Sequence, residues 1–78
     1  MDDDEQVSRI AKGDAVAFEC LFDRHGDKVL GALMRYTAGN RAVSEDLSQL
    51  VWMSVIRAAP TYEARNQFVA WLSTIVRN

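Results

Sequence analysis

The 78-residue chain has one cysteine, one histidine, one proline and no apolar run near the length of a membrane span. Cys20 and His25 alone supply neither a disulfide framework nor the ligands of a zinc site, so no metal or cofactor is expected. One histidine within a helical stripe gives no nucleophile–base–orienter set, which argues against an enzyme and against a small-molecule substrate. His25 is expected to pack at a helix surface, and Cys20 to be a small core residue. A membrane span needs ~20 apolar residues, and the acidic start is unlike a secretory signal peptide. The expected place is the cytoplasm, without membrane contact.

What is present fits one small helical domain. Hydrophobic residues make up 49% and charged residues 26%, the proportions of a soluble globular chain. At this length, without metal or disulfide, the packing of helices has to hold the fold.

Net charge is −2, which does not advertise nucleic-acid binding, but the charge is unevenly spread. Residues 1–27 hold eight acids (Asp2, Asp3, Asp4, Glu5, Asp14, Glu19, Asp23, Asp27) against Arg9, Lys12 and Arg24. Residues 28–78 hold six bases (Lys28, Arg35, Arg41, Arg57, Arg65, Arg77) against Glu45, Asp46 and Glu63. Phosphate contacts are therefore expected from the second part.

Periodicity reads as helix nearly throughout, giving an all-α bundle of about four helices. Residues 1–4 read as a frayed tail; Val7, Ile10 and Ala11 define a short first helix, ended by Gly13. Asp14 caps a long second helix over 14–37, with a stripe of Phe18, Leu21, Phe22, His25, Val29, Leu33 and Tyr36. Gly26 and Gly31 fall inside it and weaken its continuity. After the Gly39–Asn40 turn, a third helix over 41–59 ends before Pro60, because the residue preceding a proline is pushed from helical angles. A loop over 60–66 leads to a fourth helix over 67–78.

On the third helix, Val43, Leu47, Val51, Val55 and Ala58 form the expected core stripe. Glu45, Asp46, Gln49, Leu50, Met53 and Ile56 lie outside it, a polar and apolar mixture that suits a partner surface. The other reading of Met53 and Ile56 is packing against the second helix. On the fourth helix, Phe68, Leu72, Ile75 and Val76 share a core side, and Ser73, Thr74, Arg77 and Asn78 gather opposite. Hydroxyls and amides beside an arginine can meet phosphates and base edges. Trp71, at the border, is expected to be buried against the second and third helices, near Phe18, Phe22 and Leu47.

The ordered segments GDAVAFECLFDRHGDKVLGALMRY, SEDLSQLVWMSVIRAAPTY and FVAWLSTIVRN together resemble region 2 of sigma-70-family factors of the extracytoplasmic-function (ECF) type. The resemblance covers nearly the whole chain and makes residues 1–78 a sigma region 2-like domain. It implies a transcription initiation factor domain rather than an enzyme, with RNA polymerase core, through the β′ clamp helices, and single-stranded promoter DNA as partners. An anti-sigma factor is a further candidate partner. The third helix corresponds to the polymerase-binding helix, with Asp46, Gln49, Leu50 and Met53 as its site. The loop (61–67) and the fourth helix correspond to the elements that take a flipped −10 base and the melted non-template strand. Tyr62, Arg65, Asn66, Gln67, Ser73, Thr74, Arg77 and Asn78 are the implied DNA-binding residues.

The chain departs from the family pattern twice. Leu50 stands where the family usually has Glu, which removes a carboxylate facing the clamp's basic residues. The loop has Glu63-Ala64-Arg65 where relatives often carry a small Gly-containing turn. The chain stops where region 2 stops, and reads as a domain excised from a factor that would continue into a −35-reading region 4. The alternative is a sigma-like interaction module that binds polymerase or an anti-sigma factor without promoter recognition.

Overall fold

The computed structural model describes residues 2–65 and 67–77. Four helices follow in order: α1 (Asp3–Ala11), α2 (Ala15–Tyr36), α3 (Arg41–Ala58) and α4 (Phe68–Arg77). A 3-10 turn at Ala59–Thr61 follows α3, and no strand occurs among the described residues. The fold is an all-α bundle.

The starts of α1, α2 and α3 are each set by a short polar side chain that takes over otherwise unpaired amide groups. The Asp2 carboxylate accepts from the Glu5 amide at 2.8 Å, and Asp14 accepts from Val16 and Ala17 at 3.0 and 3.2 Å. Asn40 accepts from the Val43 amide at 3.1 Å. Between α1 and α2, Gly13 takes φ +89, a left-handed angle that favours glycine. Between α2 and α3, Ala38 and Gly39 are both left-handed (φ 54 and 83). The Thr37 and Ser44 hydroxyls, 2.7 Å apart, close this second corner from inside, and Ser44 is fully buried. Both Gly26 and Gly31 sit within the unbroken α2.

The acidic start is not a frayed tail. Asp3 and Asp4 belong to α1, where carboxylates in the first turn meet the positive end of the helix dipole. Asp3 reaches across to α2, with Oδ2 3.0 Å from His25 Nε2 and Oδ1 accepting from Arg24, while Asp4 accepts from the Tyr62 hydroxyl. Behind these contacts Val7 and Ile10 enter the core, which fixes α1 to the bundle.

The core joins Val7 and Ile10 to Ala17, Leu21, Val29 and Leu33 of α2, Val51, Trp52 and Val55 of α3, Ala59, and Phe68 and Leu72 of α4. Its tryptophan is Trp52, 3% exposed, and not Trp71. The Trp52 ring meets Phe18 edge-on at 5.8 Å and Phe22 at 5.4 Å, while Trp71 lies half-buried against Tyr62 and Phe68. The buried face of α3 runs through Ser44, Val51, Trp52 and Val55, about one residue around from the apolar stripe expected from the sequence. Val43 is accordingly exposed. Buried Ser44 marks the true stripe, but its hydroxyl disguises it in a hydropathy pattern.

The α2 stripe is also narrower than expected. Ala17, Leu21, His25, Val29 and Leu33 recur every four residues and are buried, whereas Phe22 and Tyr36 are exposed on its flanks. His25 is buried, its ring 5.0 Å from Phe68. Cys20 points to solvent on α2, so it is not a core residue.

Candidate functional site

Two surfaces leave the core with side chains that the fold itself does not use. The first is the outer side of α3. At about 100° per residue, Asp46, Gln49, Leu50 and Met53 fall on one stripe opposite buried Val51 and Val55. All four are exposed, Leu50 by 58% and Met53 by 54%, and Ile56 joins them at 48%. Met53 and Ile56 are therefore surface residues, one wall of a groove between α2 and α3 whose opposite wall includes Phe22, Asp23 and Asp27. Glu45 also lines it, accepting from Arg41 Nε at 2.8 Å. Phe22, Asp23 and Asp27 are additions to the expected site. The signal in the sequence was an aromatic followed by acids spaced one turn apart.

The second surface is built by the loop after Pro60 and the outer side of α4. Ala59, which precedes Pro60, keeps helical angles (φ −51, ψ −42) instead of leaving them, so the chain runs from α3 into a 3-10 turn that contains Pro60, and the Thr61 hydroxyl donates to the Ala58 carbonyl at 2.7 Å. Tyr62 then turns inward. Its ring lies 4.8 Å from Trp71 and 6.4 Å from Phe68, and its hydroxyl donates to Asp4. Burial, followed by that hydrogen bond to a carboxylate, lifts the Tyr62 phenol from 10.0 to about 12. Tyr62 is thus a fixed wall rather than a free aromatic.

Beside it opens a shallow pocket of about 370 Å³, lined by Thr61, Tyr62, Glu63, Gln67, Ala70, Trp71 and Thr74. Tyr62, Gln67 and Thr74 come together here, and Trp71, a core residue by the sequence pattern, is half-buried at the edge of the pocket. The Thr74 hydroxyl donates to the Ala70 carbonyl at 3.1 Å. Arg65 does not point freely to solvent, since its guanidinium lies 3.0 Å from Glu63, with both side chains 70% exposed.

Ser73 and Arg77 are exposed on the other flank of α4, where they line a groove against α2. The expected DNA-binding residues therefore divide between two flanks of one helix, with Tyr62, Gln67 and Thr74 on one and Ser73 and Arg77 on the other. Asn66 and Asn78 lie outside the described residues.

Among the described residues no cluster of three His, Cys, Asp or Glu could hold a metal ion. Among the described residues no helix is long and apolar enough to cross a membrane.

Comparison with known proteins gives this geometry a family. The family model for sigma-70 region 2 matches residues 21–78. The chain is 43% identical over 72 residues to the RNA polymerase sigma factor CarQ of Myxococcus xanthus, covering 92% of this chain and 41% of CarQ. It is 38% identical over 76 residues to the ECF RNA polymerase sigma factor BldN of Streptomyces coelicolor, covering 95% of this chain and 28% of BldN. It is 32% identical over 76 residues to the ECF RNA polymerase sigma-E factor of Haemophilus influenzae, covering 97% and 39%. The chain thus spans less than half the length of these relatives. No solved structure matches it at a significant level. The chain belongs to the sigma-70 region 2 family, as a region 2 domain of the ECF type.

Proposed function

We propose that this domain works in transcription initiation by binding, without chemistry of its own, to two partners in the cytoplasm. Asp46, Gln49, Leu50 and Met53 on α3 dock on the β′ clamp helices of RNA polymerase. The pocket beside Tyr62, Gln67 and Thr74, with Arg65, Asn66, Ser73, Arg77 and Asn78, takes the melted non-template strand of the promoter −10 element. A base can be read on all its edges only when unstacked, and capturing one already opened costs less than extracting it from a duplex.

One observation carries the reading. On α3, Leu50, Met53 and Ile56 stay in solvent beside Asp46 and Gln49, a mixed face with no role inside the domain. The test is a titration with a labelled single-stranded −10 oligonucleotide, its duplex and a scrambled strand at low salt. The expected order is −10 strand above scrambled strand above duplex, with affinity in the micromolar range or weaker. Equal affinity for all three overturns promoter recognition.

The second reading is an interaction module that binds polymerase or an anti-sigma factor without reading DNA. It is favoured by the pairing of Arg65 with Glu63, which offsets the loop's positive charge, and by the acidic rim of the α2–α3 groove. Binding to a β′ clamp fragment together with equal affinity for the three DNA forms would select it.

A further inference from the structure

The groove between α2 and α4 sets residues of α2 that the reading above leaves unused opposite Ser73 and Arg77. Its volume is about 320 Å³, at the lower end of the ~300–1,000 Å³ of pockets that enclose a ligand. Val29 and Leu72, both buried, give it an apolar floor. Lys28 and Tyr36 rise from α2, and Ser73 and Arg77 face them from α4. Lys28, Ala32 and Tyr36 are spaced four residues apart, so they form a single row along α2, about 12 Å from first to last.

Charge sign selects the occupant. Among the described residues no carboxylate lines this groove, whereas the α2–α3 groove is lined by Asp23, Asp27 and Glu45. The α2–α4 groove is thus a basic channel on a protein of net charge −2, and its cations have the sign that a polyanion needs. At one end His25 is held by Asp3, which limits the basic stretch to the span from Lys28 to Tyr36. Tyr36 is 66% exposed in the last turn of α2, so its ring is open to a ligand. A cationic groove with an exposed aromatic at its side is the arrangement by which single strands are held, phosphate to cation and base to ring.

We propose that this groove is a second subsite for single-stranded nucleic acid, in which Lys28 holds a phosphate and Tyr36 stacks on a base of the strand that passes Ser73 and Arg77. The inference rests on the strand-binding reading above and extends it to α2, which that reading does not use. The strand crosses α4 from the Tyr62–Trp71 pocket to the Arg77 flank and continues along α2. This accounts for the division of the expected DNA-binding residues between two flanks of one helix.

The test compares a short single-stranded −10 oligonucleotide with versions lengthened by three thymidines at the 5′ or the 3′ end, followed by fluorescence anisotropy. One of the two extensions should tighten binding about fivefold or more, the lower range for one base stacked on an aromatic. Tyr36→Ala should abolish that gain and leave affinity for the short strand unchanged. Lys28→Gln should reduce the salt slope for the extended strand by about 0.7. Both side chains are on the surface, and circular dichroism checks that the variants keep their helicity. Equal binding of short and extended strands, or a gain that survives Tyr36→Ala, overturns this subsite while leaving the −10 reading intact. Failure of the short strand to bind at all overturns both.

Discussion

The Tyr62 hydroxyl donates to the carboxylate of Asp4, 58 residues earlier in the chain, and thereby ties the start of the α3–α4 loop to the first turn of α1. Asp3, the neighbouring residue, holds His25 and Arg24 of α2. The first turn of the protein is therefore a bracket between the long helix and the loop that forms the candidate base pocket.

That bracket has a pH signature. The Tyr62 phenol is lifted from 10.0 to about 12 in the folded protein, first by burial and then by the hydrogen bond to Asp4. The unfolded chain loses this proton more readily, so between pH 10 and 12 it binds fewer protons than the folded one. The Tyr62 contribution is complete below pH 10 and is lost as pH rises toward 12. The unfolding free energies of wild type and Tyr62→Phe, from urea titrations, should therefore converge over that window, after a difference of ~0.5–1.5 kcal/mol at neutral pH for the lost hydrogen bond. Parallel curves through pH 12 would show that the hydroxyl is not held by Asp4.

The two tryptophans should behave very differently. Trp52 is packed between α2 and α3 against Phe18 and Phe22, so Trp52→Ala should cost ~3–5 kcal/mol. A domain of this size has only ~4–12 kcal/mol in total, and the variant should be largely unfolded by circular dichroism. Trp71 is half-buried on the edge of the loop pocket, and Trp71→Ala should stay folded with a lower melting temperature. The reverse ranking would place Trp71, not Trp52, in the core.

This exchange of tryptophans shows how far the sequence carries. Helix number, helix order and most boundaries follow from period, caps and Pro60, because those are local properties of the chain. The faces were harder. Ser44 is buried and Val43 exposed, so hydropathy rotates the α3 stripe by one position and hides Trp52. The acidic start looks solvated in one dimension, and only in space do Asp3 and Asp4 meet His25, Arg24 and Tyr62. The exposed row of Asp46, Gln49, Leu50 and Met53 was legible because its spacing lies within one helix. The division of the α4 residues between two grooves was not, because it depends on which neighbour packs against each flank.

The α3 face yields a separable binding test. Asp46→Ala with Gln49→Ala should weaken association with a β′ clamp fragment at least fivefold while circular dichroism is unchanged, since both side chains are exposed and neither enters the core. Leu50→Glu should act in the opposite direction, adding a carboxylate to an exposed position that faces a basic partner in the proposed complex. Unaltered binding of the double variant in a titration would remove this face as the docking site.

The loop provides the sharpest charge test. Arg65 lies 3.0 Å from Glu63, and with both side chains 70% exposed such a pair contributes little to stability. In the proposed complex its effect is on binding: Glu63 pairs with the one basic side chain of the loop and places a negative charge beside the pocket of Tyr62, Gln67 and Trp71. Glu63→Gln should leave the melting temperature within about 2–4 °C, because surface changes of this kind stay near ±0.5 kcal/mol or below. It should tighten binding of a single-stranded −10 oligonucleotide and steepen the salt dependence by up to about 0.7, the value for one more phosphate contact. Adding Arg65→Gln should cancel that gain. If Glu63→Gln leaves both affinity and salt slope unchanged, the strand does not pass the loop, and its path has to be sought on the Ser73–Arg77 flank alone.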